Sequence, residues 1–359
     1  MSRLCSGILF LYVAGSALAE AGAPAAGRQD DAYHFASFAD GRHDGLFAEW
    51  WYFNVVDAEQ GVKAIFAYSV VNPTDRGGRG LSSVLAVAYV PGGPFQQGAY
   101  LPPSAFVGSS EQADVSVGEG LPSEGHVEVI DDGRYRITGT VDGDHHIAWD
   151  LVYERESASW FAADQRPVGR FRWELMSWLV YMPSASVSGT FAVDGQSYEL
   201  HGARGYHDHN WGEWIPGLVT WNWAQYSDPH VRVAVGDFPK VAEGTVGVDF
   251  GGRQTVFEKP QYQVTHSAWR FDAVYKRWFP TRTRVHAESD AMVLDVRFRA
   301  IETVPIVPPL QLPVLPLVYE QTAEITGKLW KKTPSGERRL LASLAGMGFK
   351  EYTSLAFVR

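Results

Sequence analysis

The sequence is poor in several features that usually betray a function. It has a single cysteine, Cys5, among 359 residues, so neither a disulfide framework nor thiol catalysis has material to work with. Basic residues are the scarcer sign: 31 Lys plus Arg stand against 41 Asp plus Glu, a formal net charge of -10. Nucleic-acid binders carry a basic footprint, and no run of Lys and Arg offers polybasic attachment to anionic lipid. After the N-terminus no apolar run reaches the roughly 18 residues of a spanning helix. The chain has no Asn-x-Ser/Thr sequon, Gly-x-Ser-x-Gly elbow, Gly-rich phosphate loop ending in Lys-Ser/Thr or His-Glu-x-x-His. Those absences remove the sequence signals for N-glycosylation, α/β-hydrolase, nucleotidase and zincin chemistry.

The N-terminus follows a processing pattern. Arg3 precedes the mostly apolar Leu4 to Ala14, and Ala17-Leu18-Ala19 forms a small-x-small site before Glu20. Residues 1–19 therefore read as a secretory signal peptide that contains Cys5, with a periplasmic or secreted mature protein. Residues 20–31, rich in Ala, Gly and polar side chains, read as a disordered leader.

The remaining length suits two domains, and its signals are those of strands. Tyr135, Ile137, Gly139 and Val141 alternate with Arg134, Arg136, Thr138 and Thr140, the period of a half-buried strand. Asp142-Gly143 and Asp194-Gly195 read as hairpin turns. Val62–Val71, Val84–Val90, Val231–Phe238, Met292–Phe298 and Ala323–Trp330 read as further strands, and only Arg339 to Ala345 has a helical look. With 36 Gly and 20 Pro punctuating it, the chain is expected to be all-β, built as barrels or sandwiches. Ile215-Pro216-Gly217 sets a boundary between domains at 32–215 and 216–359. The prolines from Pro305 to Pro316 are incompatible with a central strand and read as an extended loop at a barrel mouth or domain seam.

Two clusters carry chemistry. In Glu49-Trp50-Trp51-Tyr52-Phe53-Asn54 both faces of a strand are large and aromatic, and Glu49 shares one with Trp51 and Phe53. Such a strand belongs between two packed layers. In Gly205-Tyr206-His207-Asp208-His209-Asn210-Trp211-Gly212-Glu213-Trp214, His207, His209 and Trp211 share one face while Tyr206, Asp208 and Asn210 share the other. A carboxyl held among aromatic rings has its charged form disfavoured, so it retains a proton that it can donate. Asp208 is the candidate acid, with His207 and His209 orienting it or handling a second proton. Trp221, Trp223 and Tyr226 extend the aromatic surface, whose π faces suit an apolar ligand and a developing cation. His207, His209 and Glu213 could also serve as metal ligands, but no further His or Cys follows at useful spacing, and no metal is expected. A buried polar network pinning two domains together is the plain structural alternative.

The two clusters resemble the paired signature motifs of the hydroxyneurosporene synthase (carotenoid 1,2-hydratase) and lipocalin-like superfamily, whose members include fungal hydratases and Diels–Alderases. The resemblance implies two lipocalin-like β-domains packed together with a ligand site in or between them. For hydratase members it implies protonation of an isoprenoid double bond and capture of the cation by water, without a cofactor. Asp208 occupies the motif position of the acid. Glu49, Trp51, Tyr206, Asn210, Trp211, Trp221, Trp223 and Tyr226 are the expected ligand-binding residues. The reaction class expected is thus a carbon–oxygen lyase acting on an isoprenoid, polyene or other apolar small molecule. A pericyclase of the Diels–Alderase type and a non-catalytic carrier of an apolar ligand are the alternatives. Nucleic acid is not an expected partner; transient membrane contact is, through the 305–316 stretch.

Overall fold

The computed structural model describes residues 26–168, 174–214, 219–307 and 314–357. The expected signal peptide, most of the leader, the boundary tripeptide Ile215-Pro216-Gly217 and Pro308–Pro313 lie outside the described residues. Within them the chain is all-β: two curled antiparallel sheets, each wrapped around its own apolar interior, as in packed lipocalin-like domains.

The first sheet holds β1 (Phe47–Asp57), β2 (Val62–Val71), β3 (Leu81–Tyr89), β4 (Phe95–Leu101), β5 (Phe106–Gly108) and β6 (Val115–Val117). It continues with β7 (Glu124–Asp131), β8 (Arg134–Val141), β9 (Ile147–Arg155), β10 (Trp160–Pro167), β11 (Leu175–Val193) and β12 (Gln196–Glu213). The second holds β13 (Asn222–Ser227), β14 (Val231–Phe238), β15 (Glu243–Phe250), β16 (Arg253–Glu258) and β17 (Tyr262–Asp272). It is completed by β18 (Arg277–Glu288), β19 (Met292–Ile306), β20 (Val314–Lys332) and β21 (Arg338–Phe357). Both sheets share one plan. The first strand of each pairs with the last, β1 with β12 and β13 with β21, and two arms spread from that central pair by hairpins, broken only where β11 pairs β9 and β10 folds off β11.

Turn chemistry decides where the chain reverses. Asp194 and Gly195 both have positive φ, 49° and 83°, and join β11 to β12 as a two-residue turn, the geometry that matches strand twist. Asp142-Gly143 instead opens a longer loop, because β9 starts only at Ile147. Arg339 to Ala345 is not helical. It lies in β21, laddered against β20 with one bulge at Leu341, and tertiary pairing overrides a local propensity worth only tenths of a kcal/mol per residue. The proline stretch also departs from expectation, since β19 runs through Pro305 and β20 through Pro316. Pairing with β18 ends at Arg299, and β19 meets β20 no earlier than Val318. Both prolines thus sit where the strand has a partner on one side only, and the missing N–H costs no ladder bond.

The leader supplies a larger surprise. Arg28–Asp31 forms a 3-10 turn, and Asp31 at its end is completely buried. The expected disorder therefore does not extend to this end of the leader, because Asp31 is enclosed by His207 and His209 inside the first domain.

The two sheets meet across a seam. β1 and the C-terminal half of β12 are buried on both faces, one toward the first interior and one toward the second domain. Side chains interlock there: Gly236 of β14 accepts the ring of Trp178, and a Cβ on it would fall 2.3 Å from that ring. Gln225 donates to Asn54 Oδ1 at 3.2 Å, Thr245 to the Ala162 carbonyl at 2.5 Å, and Tyr89 to the Glu320 carbonyl at 3.3 Å.

Candidate active site

The register of β1 against β12 explains how the two sequence clusters become one device. Trp51 lies opposite His209, Tyr52 opposite Asp208 and Phe53 opposite His207. Strand alternation then sends Glu49, Trp51, Phe53, His207, His209 and Trp211 inward, and Trp50, Tyr52, Asp208 and Asn210 to the seam.

At the seam lies a cavity of about 150 Å³ between the two domains. Trp50, Tyr52, Trp178, Asp208 and Asn210 line it from the first sheet, and Trp221, Trp223, Phe238, Glu320 and Glu351 from the second. Asp208 Oδ2 accepts three hydrogen bonds, from Trp178 Nε1 at 2.8 Å, Tyr206 OH at 2.8 Å and Trp223 Nε1 at 3.1 Å. Oδ1 has only the Asn210 amide, at 3.4 Å. Burial pushes the Asp208 carboxyl up to about 7; the Trp178 and Tyr206 bonds and the nearby His207 ring oppose the rise, and the Glu351 charge adds to it. With Oδ2 occupied by donors, the proton belongs on Oδ1.

Across the cavity Glu320 and Glu351 are direct cross-strand partners on β20 and β21. Burial, then the neighbouring Glu351 charge, holds Glu320 well above the usual carboxyl range, and burial raises Glu351 too. Contact between the two carboxyls raises Glu320 further and opposes the rise of Glu351. Glu351 Oε2 also accepts from Trp221 Nε1 at 2.6 Å. The Tyr52 hydroxyl is buried without a hydrogen-bond partner among the described residues. Three carboxyls thus face one small aromatic chamber.

The inward face of β12 is a different site. His207 Nε2 stands 3.0 Å from Asp31 Oδ2, and His207 Nδ1 is 2.9 Å from the Tyr52 carbonyl. His209 lies between two carboxylates, Nδ1 at 3.1 Å from Asp31 Oδ1 and Nε2 at 2.9 Å from Glu49 Oε1. Burial would lower the His209 pKa, but its bonds to Asp31 and Glu49 raise it overall. Burial would likewise raise Asp31, yet the charge and hydrogen bond of His207, with those of His209, hold it far below the ordinary carboxylate range. The rings are fixed by stacking: His207 on Phe53 at 3.9 Å, His209 on Trp51 at 4.3 Å and His34 on Trp211 at 3.8 Å.

These placements revise the expected site. Asp208, Asn210, Trp221 and Trp223 line the cavity, and Tyr206 supports Asp208 from behind. His207 and His209 do not handle the Asp208 proton; they are on the opposite face of β12, committed to Asp31 and Glu49. Glu49, Trp51 and Trp211 belong to that inner network rather than to a pocket wall. Tyr226 lies in the second interior and donates to Asp228 at 2.8 Å. The metal-type set of His207, His209 and Glu213 does not converge. His34, Glu49 and His209 do, with ligand atoms within 4.8 Å of one another, but Glu49 Oε1 already takes a hydrogen bond from both rings.

Sequence reasoning did not find Trp178, Glu320, Glu351 or Asp31. The two glutamates left a faint trace, since each is a lone acid at an inward strand position. Glu351 falls between Phe349 and Thr353, and Glu320 shares its face with Thr322, all three of those neighbours buried.

No family model matches the sequence, and no curated protein matches it. Solved structures do. One, from Nitrosomonas europaea and assigned provisionally as AttH, is 14% identical, with a TM-score of 0.59 over 98% of this chain and all of its own. Another, named CghA, is 13% identical, with a TM-score of 0.52 over 88% of this chain and 89% of its own. At such identities the likeness is one of fold: the whole two-domain lipocalin-like arrangement is what this chain has in common with them.

Proposed function

We propose that the protein is a cofactor-independent acid catalyst of the hydratase type, adding water to a carbon–carbon double bond of an apolar isoprenoid or polyene-like substrate. The observation that carries this reading is Asp208, a carboxyl that keeps its proton near neutrality while three donors wait on its other oxygen. That pairing is what a proton donor to carbon needs. Burial retains the proton in the resting state, and preorganised N–H and O–H groups stabilise the carboxylate once the proton has left.

The reaction follows from the walls of the chamber. Asp208 Oδ1–H gives its proton to the less substituted alkene carbon; the π pair forms the new C–H bond, and the positive charge falls on the more substituted carbon. The faces of Trp50, Trp178 and Trp223 stabilise that cation. A water then forms the C–O bond, and Glu351 takes the proton that the water loses. Proton return through solvent restores Asp208. The cavity's size sharpens the substrate class. About 150 Å³ is the volume of an engineered cavity that holds benzene, so it fits a branched alkene terminus rather than a whole polyene.

The test is an acyclic isoprenoid with a trisubstituted terminal double bond, incubated with the full chain in deuterated, oxygen-18 water. The reading expects a tertiary alcohol with one solvent deuteron on carbon and one labelled oxygen, lost in Asp208→Asn. A cyclised product without solvent hydrogen would turn the assignment to a pericyclase. Stoichiometric retention of unchanged substrate would turn it to a carrier.

A further inference from the structure

Among the described residues the exposed large aromatic side chains are Trp269, Phe271 and Trp278, at 45%, 52% and 58% exposure. All three belong to one hairpin, β17–β18, and Val274 in its turn is 80% exposed. The other exposed large hydrophobics are aliphatic and scattered singly, as on any soluble surface.

The same hairpin inverts the charge of the chain. Between Tyr262 and Glu288 it carries Arg270, Lys276, Arg277, Arg282 and Arg284 against Asp272 and Glu288, a net of +3 in a protein of -10. β19 adds to this, for Arg282 lies opposite Arg299 and Arg284 opposite Arg297. Like charges directly across a ladder repel, and only part of the cost is offset, by Asp295 on Arg284 and Glu324 on Arg299. A groove of about 630 Å³ runs over these four arginines, with Thr265 and Ser267 on its wall. Seven of the 31 Lys and Arg thus lie on this hairpin and its neighbour strand, beside the exposed indoles, a pattern that whole-chain composition averages away.

We propose that the β17–β18 hairpin is a docking surface for a lipid bilayer with anionic headgroups: Trp269, Phe271, Val274 and Trp278 enter the interface, and the arginine groove takes headgroup phosphates. Indoles partition to the bilayer interface, and Lys and Arg are drawn to an anionic surface. The hairpin is anchored on its own domain: Trp269 is 5.6 Å from Tyr352, and Phe279 stacks on Tyr319 at 4.4 Å, on the strand face opposite Glu351 and Glu320. The proposal puts membrane contact on this hairpin, where the sequence reading put it on the 305–316 stretch, and it stands independently of the chemistry inside the cavity.

Flotation of the full chain with vesicles of phosphatidylcholine alone, or with an equal part of phosphatidylglycerol, tests it. Binding to the anionic vesicles is expected at least about tenfold above the neutral ones, weakening as salt rises from roughly 0.05 to 0.5 M. Brominated acyl chains should quench tryptophan emission in the wild type and not in Trp269→Ser/Trp278→Ser. Arg282→Glu/Arg297→Glu should reduce anionic-vesicle binding about tenfold or more, with an unchanged near-ultraviolet circular dichroism spectrum showing that the fold is kept. Failure of the wild type to float, equal binding by wild type and both variants, or a dimer in sedimentation that the tryptophan variant abolishes would each overturn the proposal.

Discussion

On the inward face of β12, two carboxylates, Asp31 and Glu49, surround His209 and hold it charged. On the outward face, one residue along, Asp208 is as deeply buried, yet the groups bonded to its carboxyl are neutral donors, and the Glu351 charge adds to the rise that burial causes while the His207 ring opposes it. The two aspartates leave their common starting pKa in opposite directions, Asp31 downward and Asp208 up to about 7. Burial is equal, so partner charge decides: imidazole on one side, indole and phenol on the other. One strand thus carries a structural lock and a reactive acid back to back. The lock ties the N-terminal turn to the central pair β1–β12, which holds Asp208 in place.

That contrast can be broken most severely by removing the acid. Asp208→Asn should lower turnover by about 10²- to 10⁴-fold, the usual contribution of a positioned general acid, measured on a substrate found by the labelling experiment above. Wild-type activity should fall as pH rises through about 7, where Asp208 loses its proton.

The same Asp-to-Asn change on the two faces should move stability in opposite senses, read by chemical denaturation. Asp31→Asn strips charge from buried histidines and is expected to cost about 3–5 kcal/mol. Asp208→Asn removes a group whose folded pKa lies above its unfolded one. Such a group costs nothing below about pH 4 and its full penalty above 7, on the order of 4 kcal/mol. The variant should therefore be more stable than wild type at pH 8 and indistinguishable from it at pH 3.

The lock has its own pH window. Asp31, depressed in the fold, contributes above its unfolded pKa and is lost as pH falls toward its folded one. His209, raised in the fold, contributes below its unfolded value and is lost as pH rises through its folded one. Both act together between about pH 4 and 6.5, and Asp31→Asn should flatten the stability maximum there.

Gly236→Ala should cost about 1–3 kcal/mol by overpacking, because the new Cβ meets the Trp178 ring that supports Asp208. The mildest change is Trp178→Phe. With one donor gone from Oδ2, the inflection of activity should move to higher pH by about one unit.

What the sequence disclosed follows the range of the forces involved. The Trp50–Phe53 alternation is local, and it told correctly that its strand is covered on both faces; the Tyr206–Trp211 alternation told which side chains share a face. Asp194-Gly195 is local turn chemistry and was legible. Asp31 was not: nothing in its polar neighbourhood shows that His207, 176 residues away, would bury it. Glu320 and Glu351 were hidden for the same reason, since their meaning depends on Asp208 facing them from another domain. The Arg339–Ala345 segment failed in the other direction, where a weak local helical preference lost to the ladder with β20.

The pairing of first strand with last has a consequence for synthesis. β13 can acquire its neighbour β21 only when nearly the whole second domain has emerged, and Glu351 arrives on that same strand. The first domain, by contrast, can close β1 onto β12 as soon as Glu213 is made. Since domains tend to fold in the order in which they leave the ribosome, Asp208 is set in its strand well before the opposite wall of its chamber exists. Until then the carboxyl lacks the burial that raises it. Closure of the second domain over the seam is what makes Asp208 keep its proton.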